Sequence, residues 1–94
     1  MGVLLKDPGA RVEYGFDWDA EGLLAGRSIV SASWSATPAG PGDLAVMASR
    51  IEGTVTRATV EGGAAGRVYR LACRVTLSDG EVDERQLALR VEDR

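Results

Sequence analysis

Carboxylate side chains are the one group in this sequence whose spacing could support catalysis or metal binding. The 94-residue chain has no histidine and one cysteine, so the commonest general base is absent, and thiol catalysis and zinc ligation are poorly supported. No glycine-rich stretch carries the lysine of a phosphate-binding loop. Acidic residues form two clusters. The first contains Asp79, Glu81, Asp83 and Glu84, and the second contains Asp17, Asp19 and Glu21.

The first acidic cluster surrounds a tight turn at residues 78–80, where Gly80 can adopt the positive φ that such a turn needs. A pair of carboxylates can cleave a glycosidic bond, but it works in a cleft that shifts the pKa of one of them. The tip of a hairpin is open to water, and 94 residues leave little material for the walls of a cleft. We therefore predict no catalytic residues, and interpret this cluster as an acidic edge that discourages pairing between sheets.

The second acidic cluster occupies alternate positions from Asp17 to Glu21 and could be read as a calcium loop, because calcium prefers several oxygen ligands. The segment lacks the glycine and the terminal glutamate of an EF-hand loop. We therefore predict no metal site and no cofactor. The simpler interpretation is a solvated connection in which Trp18 folds onto the core.

Residues 66–91 show the clearest secondary-structure pattern, that of a long β-hairpin. Apolar side chains occupy alternate positions in both halves, which is typical of strands with one buried face. These side chains are Tyr69, Leu71, Cys73, Val75 and Leu77, followed by Leu87, Leu89 and Val91. Cys73 is accordingly predicted to be a small core residue, compatible with synthesis in a reducing cytoplasm. The apolar face of the hairpin needs a second sheet to cover it.

Further strands are predicted at residues 11–17, 27–36 and 54–60, with Gly15 favouring an edge position for the first. In the second, Val30, Ala32 and Trp34 share one face, and Trp34 is expected to be the central aromatic of the core. Residues 44–50 fit either a strand, through alternate apolar side chains, or a short helix capped by Asp43. The all-β context favours the strand, with Leu44, Val46 and Ala48 on one face.

Together these segments predict an all-β fold, with six or seven short strands separated by turns rich in glycine and proline. Tyr69, shortly after Gly66 and at the start of a long strand, resembles the corner tyrosine of immunoglobulin-like sandwiches. We therefore expect an immunoglobulin-like antiparallel β-sandwich as a single domain at residues 11–94. Residues 1–10 contain a turn signal at Pro8 and are expected to form an N-terminal arm.

The charge and hydropathy of the chain exclude two classes of partner. Eleven basic against fourteen acidic residues give a net charge of −3, which argues against electrostatic binding of nucleic acid. No apolar run approaches the roughly 20 residues that span a bilayer, and the N-terminus lacks the pattern of a signal peptide. We therefore predict no membrane partner.

Several stretches of the chain resemble one known family. They are residues 5–10, 14–18, 24–26, 29–34, 62–71 and 83–87, among which the run from Tyr14 to Trp18 is the most distinctive. These stretches resemble the small virion proteins of tailed bacteriophages and prophages known as fibre-tail adaptor proteins. Residues 43–50 depart from the resemblance, because the family usually has more threonine there.

The resemblance implies a non-enzymatic structural part of a virion, an immunoglobulin-like sandwich that connects the tail to its fibres. It implies other tail or fibre proteins as partners, several copies of the chain in a symmetric ring, and a place in the virion after synthesis in the host cytoplasm. Expected exposure selects the arm, the connection around Trp18 and the loop at residues 38–42 as contact surfaces. The predicted contact residues are Leu4, Leu5, Lys6, Asp7, Pro8, Trp18, Pro38 and Pro41.

Two alternatives remain open from the sequence. A capsid decoration protein or a head-tail joining protein would share the fold and differ in position and copy number. A carbohydrate-binding surface module would need exposed aromatic side chains on one face, whereas the aromatic residues here fall mostly on the inward sets.

Overall fold

The computed structural model describes residues 3–93 and shows two packed β-sheets. The strands are β1 (Leu4–Lys6), β2 (Val12–Asp17), β3 (Ile29–Thr37), β4 (Ala45–Glu52), β5 (Val55–Glu61), β6 (Val68–Leu77) and β7 (Val82–Val91). One sheet has the order β1-β7-β6-β3 and the other the order β2-β5-β4. The predicted all-β sandwich is confirmed. Met1 and Gly2, the first two residues of the predicted arm, lie outside the described residues.

The hairpin predicted at residues 66–91 is formed by β6 and β7. Every second side chain of β6 from Tyr69 to Leu77 is buried, and Leu89 and Val91 of β7 are 0% exposed. The turn between the two strands places Gly80 at φ 89°, as the sequence predicts. Cys73 is 0% exposed, which confirms it as a core residue.

The order of the strands is that of an immunoglobulin-like sandwich. β2-β5-β4 faces β7-β6-β3, the arrangement of strands B-E-D against strands G-F-C in that fold. The pairing departs from the fully antiparallel prediction at β1, which runs parallel to β7 with Leu4 opposite Leu89. The segment predicted as an arm therefore carries a strand, held at its end by the N–H of Glu92, which donates to the carbonyl of Lys6 at 2.9 Å.

The buried side chains form two clusters along the sandwich. One contains Leu44, Val60, Tyr69, Leu71, Leu89 and Val91. The other contains Trp18, Leu24, Cys73, Val75 and Leu77. Half-buried Trp34 packs against both clusters, which places it between them at the side of the core.

The prediction that Trp34 is the central core aromatic is wrong, because Trp18 fills that role. Trp18 is 2% exposed, whereas Trp34 is only half-buried. The physical reason is that β3 is the last strand of its sheet, so one side of the Trp34 indole lacks a neighbouring strand. The interpretation that Trp18 folds onto the core is confirmed.

Two β-bulges change which side chains face inward. An irregularity between Ile29 and Ser31 turns Val30 outward, and it is 64% exposed rather than inward with Ala32 as predicted. The segment at residues 44–50 is a strand, as favoured, but a bulge after Val46 shifts Ala48 to the outer face, opposite Thr59.

β2 lies at the edge of its sheet, as Gly15 suggested. Within residues 3–93 no helix is long and apolar enough to cross a bilayer.

Candidate partner-binding surfaces

The carboxylates at the hairpin tip are exposed and engaged by an arginine. Arg27 Nη1 lies 3.1 Å from both Asp79 Oδ2 and Glu81 Oε2, and the backbone N–H of Glu81 donates to Asp79 Oδ1 at 2.9 Å. This hydrogen bond, followed by the interaction with Arg27, lowers the pKa of Asp79. An exposed carboxylate that is held ionised suits a surface ion pair and not general acid catalysis. No group of three or more potential metal ligands occurs within residues 3–93.

Trp18 is built into the core at the same end of the sandwich as this tip. Its Nε1–H donates to Thr56 Oγ1 at 2.8 Å, and the Arg85 guanidinium covers the ring at 4.7 Å from the centroid. Thr56 Oγ1 lies in turn 3.4 Å from Cys73 Sγ, and burial raises the pKa of the Cys73 thiol. The surface at this end is therefore formed by Arg85 and not by the indole, although contact of Trp18 with a partner stays a prediction.

Tyr69 organises the opposite end of the sandwich as a corner tyrosine. Its hydroxyl accepts a hydrogen bond from the N–H of Ala64 at 2.9 Å and donates to Asp43 Oδ1 at 2.6 Å. Arg67 Nη1 lies 3.5 Å from the same carboxylate oxygen. Burial and the bond to Asp43 raise the pKa of Tyr69. This confirms the resemblance to the corner tyrosine, because the hydroxyl bonds to backbone a few residues upstream.

Lys6 anchors the turn after β1 to the same end. The side chain is 2% exposed, and its Nζ donates to the carbonyls of Asp7 and Gly62, both at 2.8 Å. Burial lowers the pKa of Lys6. The loop that it contacts is closely packed, since a Cβ on Gly63 would lie 2.6 Å from Val91 Cγ2. Lys6 therefore fastens two connections together and presents little surface of its own.

The predicted contact residues fall into three places. Asp7 and Pro8 follow β1, and the exposed Pro38 and Pro41 follow β3, so the strand pairings bring all four to one end of the sandwich, which we call the proline end. Leu4 and Leu5 are exposed along β1, at 45% and 52%. Lys6 is buried beneath the proline end, and Trp18 lies at the opposite end of the sandwich. Burial removes the exposure on which the choice of Lys6 and Trp18 depended, and the role of all eight residues stays a prediction.

The outer faces of the two sheets differ in charge. The outer face of β2-β5-β4 carries a network of ion pairs, in which Arg50 lies 2.8 Å from Glu13 and Arg57 lies 2.6 Å from Glu52. The outer face of β3 carries Ser31, Ser33, Ser35 and Thr37. Arg70 and Arg74 stand next to this row on β6, and within residues 3–93 neither forms an ion pair.

The outer face of β3 and β6 was not predicted from the sequence as a contact surface. The alternation of serine with larger residues from Ser31 to Ser35 was visible, and so was the position of Arg70 and Arg74 opposite the apolar set of β6. The sequence pattern does not encode the order of the strands. It is this order that places β3 at the edge of the described sheet, next to β6.

The aromatic side chains do not form a platform for sugars. Phe16 and Trp34 stack on each other inside the sandwich with centroids 5.5 Å apart, and every aromatic side chain within residues 3–93 is buried or half-buried. A surface depression of about 380 Å³ is present beside Tyr69. It is lined by Thr37, Pro38, Val68, Tyr69, Arg70 and Ala88.

A family model described as "Podophage GP4 fiber-tail adaptor protein gp77" matches residues 6–90 of the chain. The match spans the end of β1 and nearly all of β7, so it includes both sheets. No curated protein matches the chain.

Proposed function

Because the chain belongs to the podophage fibre-tail adaptor family, we propose that it connects the tail of a podophage particle to its fibres through protein-protein contacts and has no catalytic role. The match over residues 6–90 is the observation that carries this proposal. Membership of the family makes the chain a virion component that contacts other tail or fibre proteins. Synthesis in the host cytoplasm, where the buried thiol of Cys73 would stay reduced, is part of the proposal.

The shape of the protein supports a connecting role. An adaptor needs separate surfaces for its two neighbours, and the principal extents of 42, 25 and 18 Å give this sandwich two distant ends. The proline end carries exposed prolines, and the other end carries the Arg27 ion pairs and Arg85. We assign the proline end and the exposed Leu4 and Leu5 to contacts within the tail.

Several copies around the tail would form a ring, because the tail is rotationally symmetric. Ring closure requires a heterologous contact between two different surfaces of the chain. The two sides of the sandwich offer such surfaces, since β1 and β2 are edges on one side and the charged strand β4 is an edge on the other.

Quantitative mass spectrometry of purified particles, scaled to the major capsid protein, tests this function. A low symmetric count, on the order of 6 or 12 copies, is the expected result for a tail adaptor. Hundreds of copies would instead identify a capsid decoration protein. Absence from the particle would overturn the proposal and would favour the carbohydrate-binding surface module instead. A head-tail joining protein would be recognised by particles that lack tails when the gene is deleted, whereas loss of an adaptor should leave tails without fibres.

A further inference from the structure

The free edge of β3 differs from the other three sheet edges in having no charge. β1 is only three residues long. β2 carries Glu13 and Asp17, and β4 carries a bulge as well as Arg50 and Glu52. Short strands, charged side chains and bulges are the means by which proteins prevent unwanted pairing at an edge.

β3 is nine residues long and contains no charged residue, proline or glycine. Its only irregularity lies between Ile29 and Ser31, and from Ser31 to Thr37 it pairs with β6 in unbroken register. Within residues 3–93 no strand pairs with its other side. In an antiparallel strand the backbone N–H and C=O groups of successive residues point alternately to the two sides, so every second residue from Ser31 to Thr37 presents these groups to a strand that is not part of this chain's described fold.

Two arginines stand directly behind this edge. Arg74 lies opposite Ser33 and Arg70 lies opposite Thr37, on the outer face of the sheet. Glu84, the cross-strand neighbour of Arg74, accepts a hydrogen bond from Gln86 at 3.0 Å and does not pair with the arginine. The small hydroxyl side chains of β3 leave the space over that strand open to both guanidinium groups.

The other sheet shows that an arginine in this fold reaches across an intervening strand. Arg50 of β4 contacts Glu13 of β2 at 2.8 Å, although β5 lies between them. A strand added to β3 would be separated from Arg70 and Arg74 by the same two strand spacings. Four residues along a strand span about 13 Å, so the matching carboxylates on the added strand would also be four residues apart.

We propose that the edge of β3 binds an extended segment of another tail or fibre protein, which adds as a strand and places acidic side chains at positions i and i+4 over Arg70 and Arg74. Main-chain hydrogen bonds would supply affinity, and charge-assisted pairs with the arginines would fix the register. The depression beside Arg70 adjoins the end of this edge and can receive a further side chain of the segment. This inference rests on the proposed adaptor function.

A second copy of the chain fits the edge less well than a different protein. β1 and β3 contain no acidic residue. β2 has Glu13 and Asp17 at the required spacing, but Glu13 is already bonded to Arg50 within its own sheet. The strand that complements the arginines is therefore expected from another component of the tail.

Hydrogen exchange of the protein in purified particles, compared with the free protein, tests this inference. Among residues 31–37, we expect the amides that point away from β6 to exchange at least about tenfold more slowly in the particle. If the protein is present in the particle but these amides exchange as in the free protein, the inference is wrong while the adaptor function stands. If the protein is absent from the particle, the adaptor function itself fails. Protection that rises with the concentration of the free protein would assign the edge to a second copy and would also overturn the inference.

A pair of variants tests the role of the charges. R70E/R74E should reduce the number of copies per particle about tenfold, since two charge-assisted pairs become repulsive. Arg57→Glu is the control, because Arg57 lies on the outer face of the other sheet, on its middle strand β5, where we propose no partner and where it pairs with Glu52. Thermal unfolding of each variant verifies that the fold is intact. An equal effect of both changes would contradict a specific role for Arg70 and Arg74.

Discussion

At the scale of single residues, the two tryptophans contribute differently because only one of them is enclosed. Trp18 is covered by Arg85, contacts Phe16 edge-on at 6.1 Å between centroids, and donates to Thr56. Trp34 is half-buried, and its Nε1–H is buried without a hydrogen-bond partner within the described residues. An unpaired buried donor offsets part of what burial of the ring contributes.

Replacing each tryptophan by alanine should separate these contributions. Trp18→Ala is expected to cost about 3 to 5 kcal/mol of unfolding free energy, since it leaves a cavity in the core and removes the bond to Thr56. Trp34→Ala should cost about 1 to 2 kcal/mol of unfolding free energy, because Trp34 is only half-buried and its loss removes less buried apolar area than the loss of Trp18. Urea unfolding of the two variants measures the difference. An equal or larger cost at Trp34 would contradict the assignment of Trp18 as the central aromatic.

The hydroxyl of Tyr69 offers a second residue-scale prediction. Tyr69→Phe removes the hydroxyl that bonds to the N–H of Ala64 and to the carboxylate of Asp43. Both groups lose this hydrogen-bond partner, so the unfolding free energy should fall by about 1 to 3 kcal/mol. Tyr14→Phe is the matched control, since the Tyr14 hydroxyl forms no hydrogen bond within residues 3–93. Chemical denaturation should show a loss for the first variant and almost none for the second.

The raised pKa of Tyr69 makes stability depend on alkaline pH. The unfolded chain loses this proton near the ordinary value of 10.0, before the folded protein does, so the contribution of Tyr69 is complete below pH 10 and is lost as pH rises through the folded pKa. The lowered pKa of Lys6 acts in the opposite direction, because stability recovers as pH rises through its folded pKa towards 10.5. Melting temperatures measured from pH 8 to 11 should therefore fall less steeply in Tyr69→Phe than in the parent, and more steeply in Lys6→Met.

At the scale of elements, the alternation of side chains was enough to predict most of the strands. β6 and β7 follow it closely, since their buried positions are those of the apolar set that begins at Tyr69. The bulges at Val30 and Val46 were not predictable, because a bulge changes the facing of a side chain without changing the sequence pattern. The three-residue β1 was also missed, since its pairing depends on long-range contacts such as the bond from Lys6 to Gly62.

The candidate surfaces were less predictable than the strands. Exposure of Pro38 and Pro41 follows from their place in a turn, and the structure agrees that both are exposed. Burial of Lys6 could not be read from the sequence, because lysine is rarely enclosed and here depends on two carbonyl acceptors from different loops. The free edge at β3 depends on strand order, which local patterns do not encode.

The loop that connects β5 and β6 provides an element-scale prediction. Gly63 has φ 103°, and a Cβ there would lie 2.6 Å from Val91 Cγ2. Gly66 has φ 85°, but a Cβ added to it would meet no atom within 4 Å. Gly66→Ala should therefore cost only the backbone strain, about 1 to 2 kcal/mol, and Gly63→Ala should cost about 1 to 3 kcal/mol more because Val91 must move. Equal unfolding free energies would show that the close approach to Val91 is relieved without cost.

At the scale of the whole molecule, the fold separates its stabilising chemistry from the surfaces left for partners. The corner at Tyr69 and the Trp18 cluster hold the loops at each end, so these loops present fixed shapes rather than adaptable ones. The network on the outer face of β2-β5-β4 is satisfied internally. The surfaces that we assign to partners are the apolar β1 edge, the proline end and the edge of β3, and an adaptor with several neighbours needs several separate surfaces.

A comparison of two exposed leucines tests which side of the molecule faces the tail. Leu5 on β1 is 52% exposed and Leu23, at the end that holds Trp18, is 53% exposed, so Leu5→Arg and Leu23→Arg add the same charge at sites of equal exposure. If β1 contacts the tail, Leu5→Arg should lower the number of copies per particle several-fold, because a charge buried in an interface without a partner costs more than the lost apolar contact. Leu23→Arg should leave that number unchanged, and thermal unfolding should be the same for both variants. The reverse result would place the tail contact at the Trp18 end, with the β1 edge left for the fibre.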